Sequence, residues 1–292
     1  MWFGLLGPLQ VQLDDGAPRQ LAPRQRFLLA ALLQVPGQAV SVQRLSDLVW
    51  DGQPPPGGAV TIRSYVKRLR DALGPAGQAR IVAAGGGYKI DAADDEIDVA
   101  QFETRLRAGV SAARTGDWRR ALDLLNRALA LWRGTALADV PSRELQLAAV
   151  PRLQEARLEA ISWRIEADLR LGNAGEVVPE LRTLIAEFPL RESFHGQLMV
   201  ALCRSGRRAD ALAVFRAARR VLVSDVGVEP GPELQRLHER ILAGDPELLT
   251  APALAGARTG VRAPFVPRQL PSPVPHFAGR VTFPGRSPGG RD

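Results

Sequence analysis

The stretch TIRSYVKRLRDAL, residues 61–73, decides how the first third of the chain is read. On a helix turning about 100° per residue, Ile62, Val66, Leu69 and Leu73 fall within about 60° of one another and form a stripe for burial. Ser64, Lys67, Arg68 and Asp71 lie roughly opposite. Thr61 stands at one edge, and Arg63 and Arg70 share the other flank. A helix that docks this apolar stripe on its own domain presents a polar, cationic outer face. Arginine pairs bidentately with guanine O6 and N7, and serine or threonine contacts bases or phosphates. Flanking Arg and Lys neutralise phosphates and hold the register. The competing reading is a charge-rich face that is merely solvated. Charge balance favours the first, because only Asp71 offsets Arg63, Lys67, Arg68, Arg70 and, further on, Lys89.

Outward from this helix, the neighbouring segments supply a context. Towards the N-terminus, the short apolar runs WFGLLG, VQL and RQL, broken by Asp14-Asp15-Gly16, predict a small sheet. From Pro23 the period becomes helical, with Phe27, Leu28, Ala31 and Leu32 at helix spacing and Gly37 beyond the end. Ser41 is a fitting N-cap for a second helix that buries Leu45, Leu48 and Val49. QPPPGG (53–58) breaks that helix, and Gly74-Pro75 stops the third. ARIVAAGGGYKIDA (79–92) then predicts two strands joined through Gly85-Gly86-Gly87.

Strands, three helices and a terminal hairpin make residues 1–95 a winged helix-turn-helix, a design whose third helix enters the major groove. Thr61, Ser64, Lys67 and Arg68 are then the candidates for base contact. Arg63, Tyr65, Arg70, Tyr88 and Lys89 are the candidates for phosphate contact.

Residues 96–248 read as helix throughout, rich in Ala, Leu, Arg and Glu, with a weak repeat. Gly116, Gly172 and Gly206 each precede a small apolar pair five residues on: Ala121-Leu122, Val177-Val178 and Ala211-Leu212. The last two glycines are 34 residues apart, the period of tetratricopeptide helical hairpins, whereas the first two are 56 apart. The expected fold is thus mixed: a small α+β winged helix-turn-helix followed by an all-α tetratricopeptide-like region. Residues 249–292, dominated by Pro, Gly, Ala and Arg, are expected to be disordered.

The totals narrow the function classes. Net charge is +7, but residues 1–95 carry 10 basic against 8 acidic side chains, residues 96–250 carry 22 against 22, and residues 251–292 carry 6 against 1. Most of the excess lies in the tail, so the clustering on one helix says more than the total. Cys203 is the single cysteine and His195, His238 and His276 are far apart, so no disulfide framework or local metal spacing exists. No apolar run approaches the length of a membrane span, and MWFGLLGPLQ lacks the features of a signal peptide. A soluble cytoplasmic protein is expected. No nucleophile–base pair, paired carboxylates or phosphate loop stands out, so neither an enzyme nor a cofactor is implied.

Other conspicuous residues have plain structural readings. Trp118, Trp132 and Trp163 fit a core, Cys203 a buried thiol, and His195 a packed position between helices. Arg207-Arg208 and Arg219-Arg220 lie near Asp210, Asp225 and Glu229 and read as solvated faces. DVGVEPGPEL (225–234) reads as a structural loop fixed by Pro230 and Pro232.

RLRDALG followed by the Gly-rich GGGYKI strand resembles the winged helix-turn-helix of response-regulator output domains. Its pairing with the following helical region resembles the Streptomyces antibiotic regulatory protein family. DVAQFETRL, AARTGDWRRALDLLNRALALWRG, PLRES and LVSDVGVEPGPELQRLHERIL are similar to that family's bacterial transcriptional activator domain. The resemblance covers about residues 2–248. It implies an activator that recognises direct repeats in double-stranded DNA upstream of biosynthetic genes, with two protomers side by side, and that contacts RNA polymerase. PRQLPSPVPHFAGR (267–280) is similar to the linker that leads, in larger members, into a nucleotide-binding domain. A short member retaining that linker and a truncated larger regulator are both consistent with this tail. A reading from a different class is a helical protein-interaction scaffold without specific DNA binding.

Overall fold

The computed structural model describes residues 1–14 and 16–249, and these form one compact unit. Strand β1 (Trp2–Gly4) pairs antiparallel with β2 (Gln10–Gln12), Phe3 opposite Val11. The third apolar run, RQL, adds no strand; only Pro18 bridges to Gln12. Helix α1 (Pro23–Leu33) starts at its proline, whose missing N–H costs nothing in the first turn. Every residue from Phe27 to Leu33 is buried, more than the expected stripe, because α1 is the centre around which the winged helix packs.

Helix α2 (Val42–Val49) is capped as expected: Ser41 Oγ accepts from Arg44 N at 3.0 Å. Helix α3 (Gly58–Arg80) buries Ile62, Val66, Leu69 and Leu73, the stripe read from the sequence. Gly74, at φ 69°, interrupts it, and the chain then takes a further short helical segment from Pro75 to Arg80 rather than passing directly to a strand. Strands β4 (Ile81–Ala84) and β5 (Gly87–Ile90) form the wing. A two-residue strand β3 (Val40–Ser41), not anticipated, pairs with β5 to give the order β3-β5-β4.

The wing's glycines act for two different reasons. Gly85 (φ 55°) and Gly86 (φ 72°) occupy the tight turn at positive φ, as a type I′ turn demands. At Gly87 a Cβ would come within 1.9 Å of the Val40 carbonyl oxygen, so β3 and β5 meet only because that atom is absent.

A 3-10 turn (Asp94–Glu96) leads into three helical hairpins: α4 (Asp98–Arg114) with α5 (Trp118–Leu129), α6 (Arg143–Leu171) with α7 (Ala174–Glu187), and α8 (Glu192–Arg204) with α9 (Arg208–Val226). Gly116, Gly172 and Gly206 turn these hairpins at φ 81°, 94° and 74°. Ala121 and Ala211 are buried where the second helix closes on the first, whereas Val177 is buried in an α7 that meets α6 only near their turn and packs mainly on α8. The long first spacing has a physical cause. Between α5 and the 29-residue α6 the chain makes a strap that returns to the N-terminal segment, with Arg133 N donating to Leu6 O and Leu137 N to Leu5 O. Helices α10 (Pro232–Ala243) and α11 (Pro246–Leu249) close the described chain.

The winged helix and the helical region share their interior. Leu137, Val140, Leu145 and Ala149 belong to the core around α1, and Leu6 belongs to the core of Phe102 and Leu125. Cys203 is buried, and burial pushes its thiol up. His195 is buried with Nε2 at 2.8 Å from Pro189 O. The tryptophans are half-buried rather than fully enclosed, and Arg170 and Arg157 lie over Trp118 and Trp132. Of the tail expected to be disordered, everything beyond Leu249 lies outside the described residues. No helix among the described residues is long and apolar enough to cross a membrane.

Candidate nucleic-acid interface

Because Ile62, Val66, Leu69 and Leu73 face inward, α3 turns its opposite side away from the domain. Arg63, Ser64, Lys67, Arg68 and Asp71 are all exposed there. Among the described residues, the side chains of Arg63, Ser64, Lys67 and Arg68 have no ion-pair or hydrogen-bond partner. A strip of three cations and a hydroxyl therefore stands open to solvent along the first four turns, with Asp71 at its far end. Thr61, half-buried, leans back on the helix start, its Oγ1 3.4 Å from Gly57 O.

The remaining candidates are placed differently. Tyr65 is half-buried and stacks on Trp50 at 6.5 Å between ring centroids, tying α3 to the end of α2. Arg70 donates from Nε and Nη2 to the Ile81 carbonyl at 2.8 and 2.5 Å, and its guanidinium lies 5.6 Å from the centre of the Tyr88 ring. Those contacts brace the wing against α3. Lys89 Nζ pairs with Asp91 Oδ1 at 2.8 Å. The structure thus gathers Arg63, Ser64, Lys67 and Arg68 on one open face. Arg70 and Tyr88 are in contact with each other between α3 and the wing, and Lys89 pairs separately with Asp91. The wing tip itself, Ala84 to Gly87, carries no charge.

Two features escaped the sequence. Val60, in the first turn of α3, is 66% exposed beside Ser64 and Lys67. The inter-region anchor was also missed. Arg80, at the end of α3, holds Glu96 through Nη1–Oε2 and Nη2–Oε1 contacts of 2.5 and 2.7 Å. With Arg80 beside it, the Glu96 carboxyl is lowered to about 2. The fully buried Asp98 accepts from the amides of Leu5 and Leu6 and from Arg133 Nη2. Burial leaves the Asp98 carboxyl raised, although those donors offset part of the rise. Together the two contacts fix the winged helix, and so the direction of α3, relative to the first helical hairpin.

Residues 97–242 match the family described as bacterial transcriptional activator domain, and residues 16–90 match that described as transcriptional regulatory protein, C terminal. The chain is 42% identical over 282 residues to the regulatory protein AfsR of Streptomyces coelicolor, covering 96% of this chain and 28% of that protein. It therefore spans little more than a quarter of that relative. With the regulatory protein DnrI of Streptomyces peucetius the identity is 38% over 256 residues, covering 84% of this chain and 93% of the other. Among solved structures, Mycobacterium tuberculosis EmbR in complex with a low-affinity phosphopeptide superposes with a TM-score of 0.80 at 37% identity, covering 83% of this chain and 65% of that one. A winged helix-turn-helix joined to three helical hairpins, matched along both parts, places the chain in the Streptomyces antibiotic regulatory protein family of transcriptional activators.

Proposed function

We propose that this protein binds double-stranded DNA sequence-specifically, with α3 in the major groove, and activates transcription from the bound site. The observation that carries the reading is the open face of α3, where Arg63, Ser64, Lys67 and Arg68 are exposed and unpartnered while the neighbouring Arg70 and Lys89 are engaged within the domain. Unpaired cations on a rigid helix are available to phosphates and guanine edges without first breaking an internal contact. Ser64, Lys67 and Arg68, with Thr61 at the edge, are assigned to bases. Arg63 is assigned to phosphate, with Tyr65 beside Trp50 and Arg70, Tyr88 and Lys89 where α3 meets the wing supporting the backbone contact.

Family membership supports the remainder. The sites would be direct repeats upstream of biosynthetic genes, two protomers would lie side by side on them, and the helical region would offer RNA polymerase a surface. The protein acts in the cytoplasm and is not an enzyme in this reading. Selection of the purified chain on a randomised duplex pool, followed by titration of the enriched site at several salt concentrations, tests it. Enrichment of a tandem motif whose affinity falls steeply with salt is expected. Weak retention without enrichment would remove the reading and transfer function to the helical hairpins as a protein-binding scaffold.

A further inference from the structure

Val60 is the most exposed large aliphatic side chain among the described residues, at 66%, and the sole one of that kind in the winged helix. Single apolar side chains on a surface are common and need no explanation by themselves. This one differs in its position. With 3.6 residues per turn, Val60 shares its side of α3 with Ser64 and Lys67, at i+4 and i+7, and lies nearly opposite the buried stripe of Ile62 and Leu69. It occupies the first turn, and the N-terminal residues of a recognition helix are those that reach base edges.

The backbone beneath it is firmly held. Val60 N donates to Gly57 O at 3.0 Å. At Gly58 a Cβ would stand 2.8 Å from Ser46 Oγ, so the first turn of α3 rests directly on α2. Two turns along, Tyr65 is stacked on Trp50. A β-branched side chain on a helix keeps essentially one χ1 rotamer. The two γ-methyl groups of Val60 are therefore presented at a fixed place, with little freedom left to lose on binding.

We infer that Val60 is a specificity-determining residue that packs against the C5-methyl group of a thymine in the major groove. This rests on the reading of α3 as the groove-facing helix. The chemistry follows from the partner's composition. The major-groove edges of the bases are hydrogen-bonding groups apart from the pyrimidine C5 position, and of its two forms the thymine methyl projects far enough for a valine to cover, whereas cytosine C5–H does not. Ser64 and Lys67 read polar edges further along. At a rise of about 1.5 Å per residue, Ser64 lies about 6 Å beyond Val60, which separates the methyl contact from the polar contacts by roughly two base-pair steps.

The experiment uses the full chain and the duplex enriched by selection. Each thymine is replaced in turn by deoxyuridine, which keeps the base pair and removes only the methyl, and affinities are measured for the wild type and for Val60→Ala. At one thymine the wild type is expected to lose about three- to five-fold, the size of one buried methyl group. V60A should lose a similar factor on the unmodified site and nothing further with uracil there, while V60I retains sensitivity to uracil at that position. Wild-type enrichment of a defined motif, with uracil affecting wild type and V60A alike at every position, would overturn the inference while leaving the reading of α3 intact. No enrichment by the wild type would overturn both.

Discussion

The carboxylate of Asp98 and the guanidinium of Arg133 meet at 3.0 Å in the seam between the winged helix and the first helical hairpin. Asp98 is fully buried and also accepts from Leu5 N at 2.8 Å and Leu6 N at 2.9 Å. Arg133 meanwhile donates to Pro8 O at 2.9 Å and lies over the Trp2 ring. One acidic side chain at the start of α4 thus satisfies two backbone donors of the N-terminal segment and one cation of the strap. Removing it strands the two amides and leaves Arg133 with Pro8 O and the Trp2 ring. Asp98→Ala is expected to lower unfolding free energy by about 3–5 kcal/mol, the usual cost of breaking a buried ion pair. Asp98→Asn should recover part of that loss, since an amide oxygen in the Oδ2 place still accepts from Leu5 N, Leu6 N and Arg133, while the charge is gone and Nδ2 faces the Leu5 amide. Urea unfolding followed by tryptophan fluorescence checks this, and a loss below about 1 kcal/mol for D98A would refute it.

The Arg80–Glu96 contact makes stability depend on acid in a definite window. Glu96 titrates at about 2 in the folded protein against an ordinary value of 4.5, chiefly because Arg80 bonds to the ionised form. A carboxyl whose folded value is depressed contributes stability that is complete above its unfolded value and is lost as pH falls towards the folded one. The contribution is therefore present above pH 4.5 and fades between pH 4.5 and about 2. Replacing Glu96 by Gln should cost about 1–3 kcal/mol near neutrality, as for a lost charge-assisted hydrogen bond. The gap between wild type and E96Q should close towards about pH 2. A gap that stays constant with pH would show that the ion pair contributes nothing.

These two anchors also mark where the sequence stops being informative. Elements with local signals were legible: the stripe Ile62–Val66–Leu69–Leu73, the Ser41 cap, the Gly85-Gly86 turn and the three hairpin glycines each declare themselves within a few residues. Strand β3 is two residues long and exists only because Gly87, 46 positions on, lets it approach. Asp98 reads locally as an ordinary acidic residue in the first turn of a helix; its burial depends on partners 93 and 35 residues away. Arg70 was legible as a flank of the cationic helix, but its bond to the Ile81 carbonyl depends on where the wing returns. Val60 escapes a helix read from Thr61; with the helix begun one turn earlier, the same spacing sets it opposite the buried stripe, beside Ser64 and Lys67.

Residues of the open face should divide by the form of their defect. Arg68→Ala is expected to cost about 1–3 kcal/mol on the selected site and to relax preference at one base pair. Arg63→Ala should weaken all sequences alike and reduce the slope of log affinity against log salt by about 1. Binding measured across a panel of single-base variants at several salt concentrations separates the two. Unchanged discrimination in R68A would take Arg68 out of the reading set.

Arg70 separates bracing from direct contact. Its two hydrogen bonds to Ile81 O and its place over Tyr88 join α3 to the wing. Arg70→Ala should therefore destabilise the free protein by about 1–2 kcal/mol, as expected for a partly exposed charge-assisted bond. Arg70→Lys should fall short of rescue because an ammonium lacks the planar fork. Thermal unfolding without DNA makes the measurement. If R70A melts like the wild type yet binds DNA weakly, the guanidinium serves phosphate directly and the bracing account fails.

The wing offers a test of the two glycine roles. Gly86 sits at φ 72° with open space where a Cβ would project, so Gly86→Ala meets only backbone strain, about 1–2 kcal/mol. At Gly87 a Cβ would stand 1.9 Å from Val40 O and 2.6 Å from Ser41 Cα, both backbone atoms with no side-chain freedom to yield. Gly87→Ala must push β3 off β5. Ser41 then shifts too, and it is the cap of α2 as well as a member of β3. The expected loss is about 3 kcal/mol or more, above ordinary overpacking because the cap goes with the strand. Chemical unfolding of the two variants side by side decides it, and equal losses would mean that β3 does not hold the wing to α2.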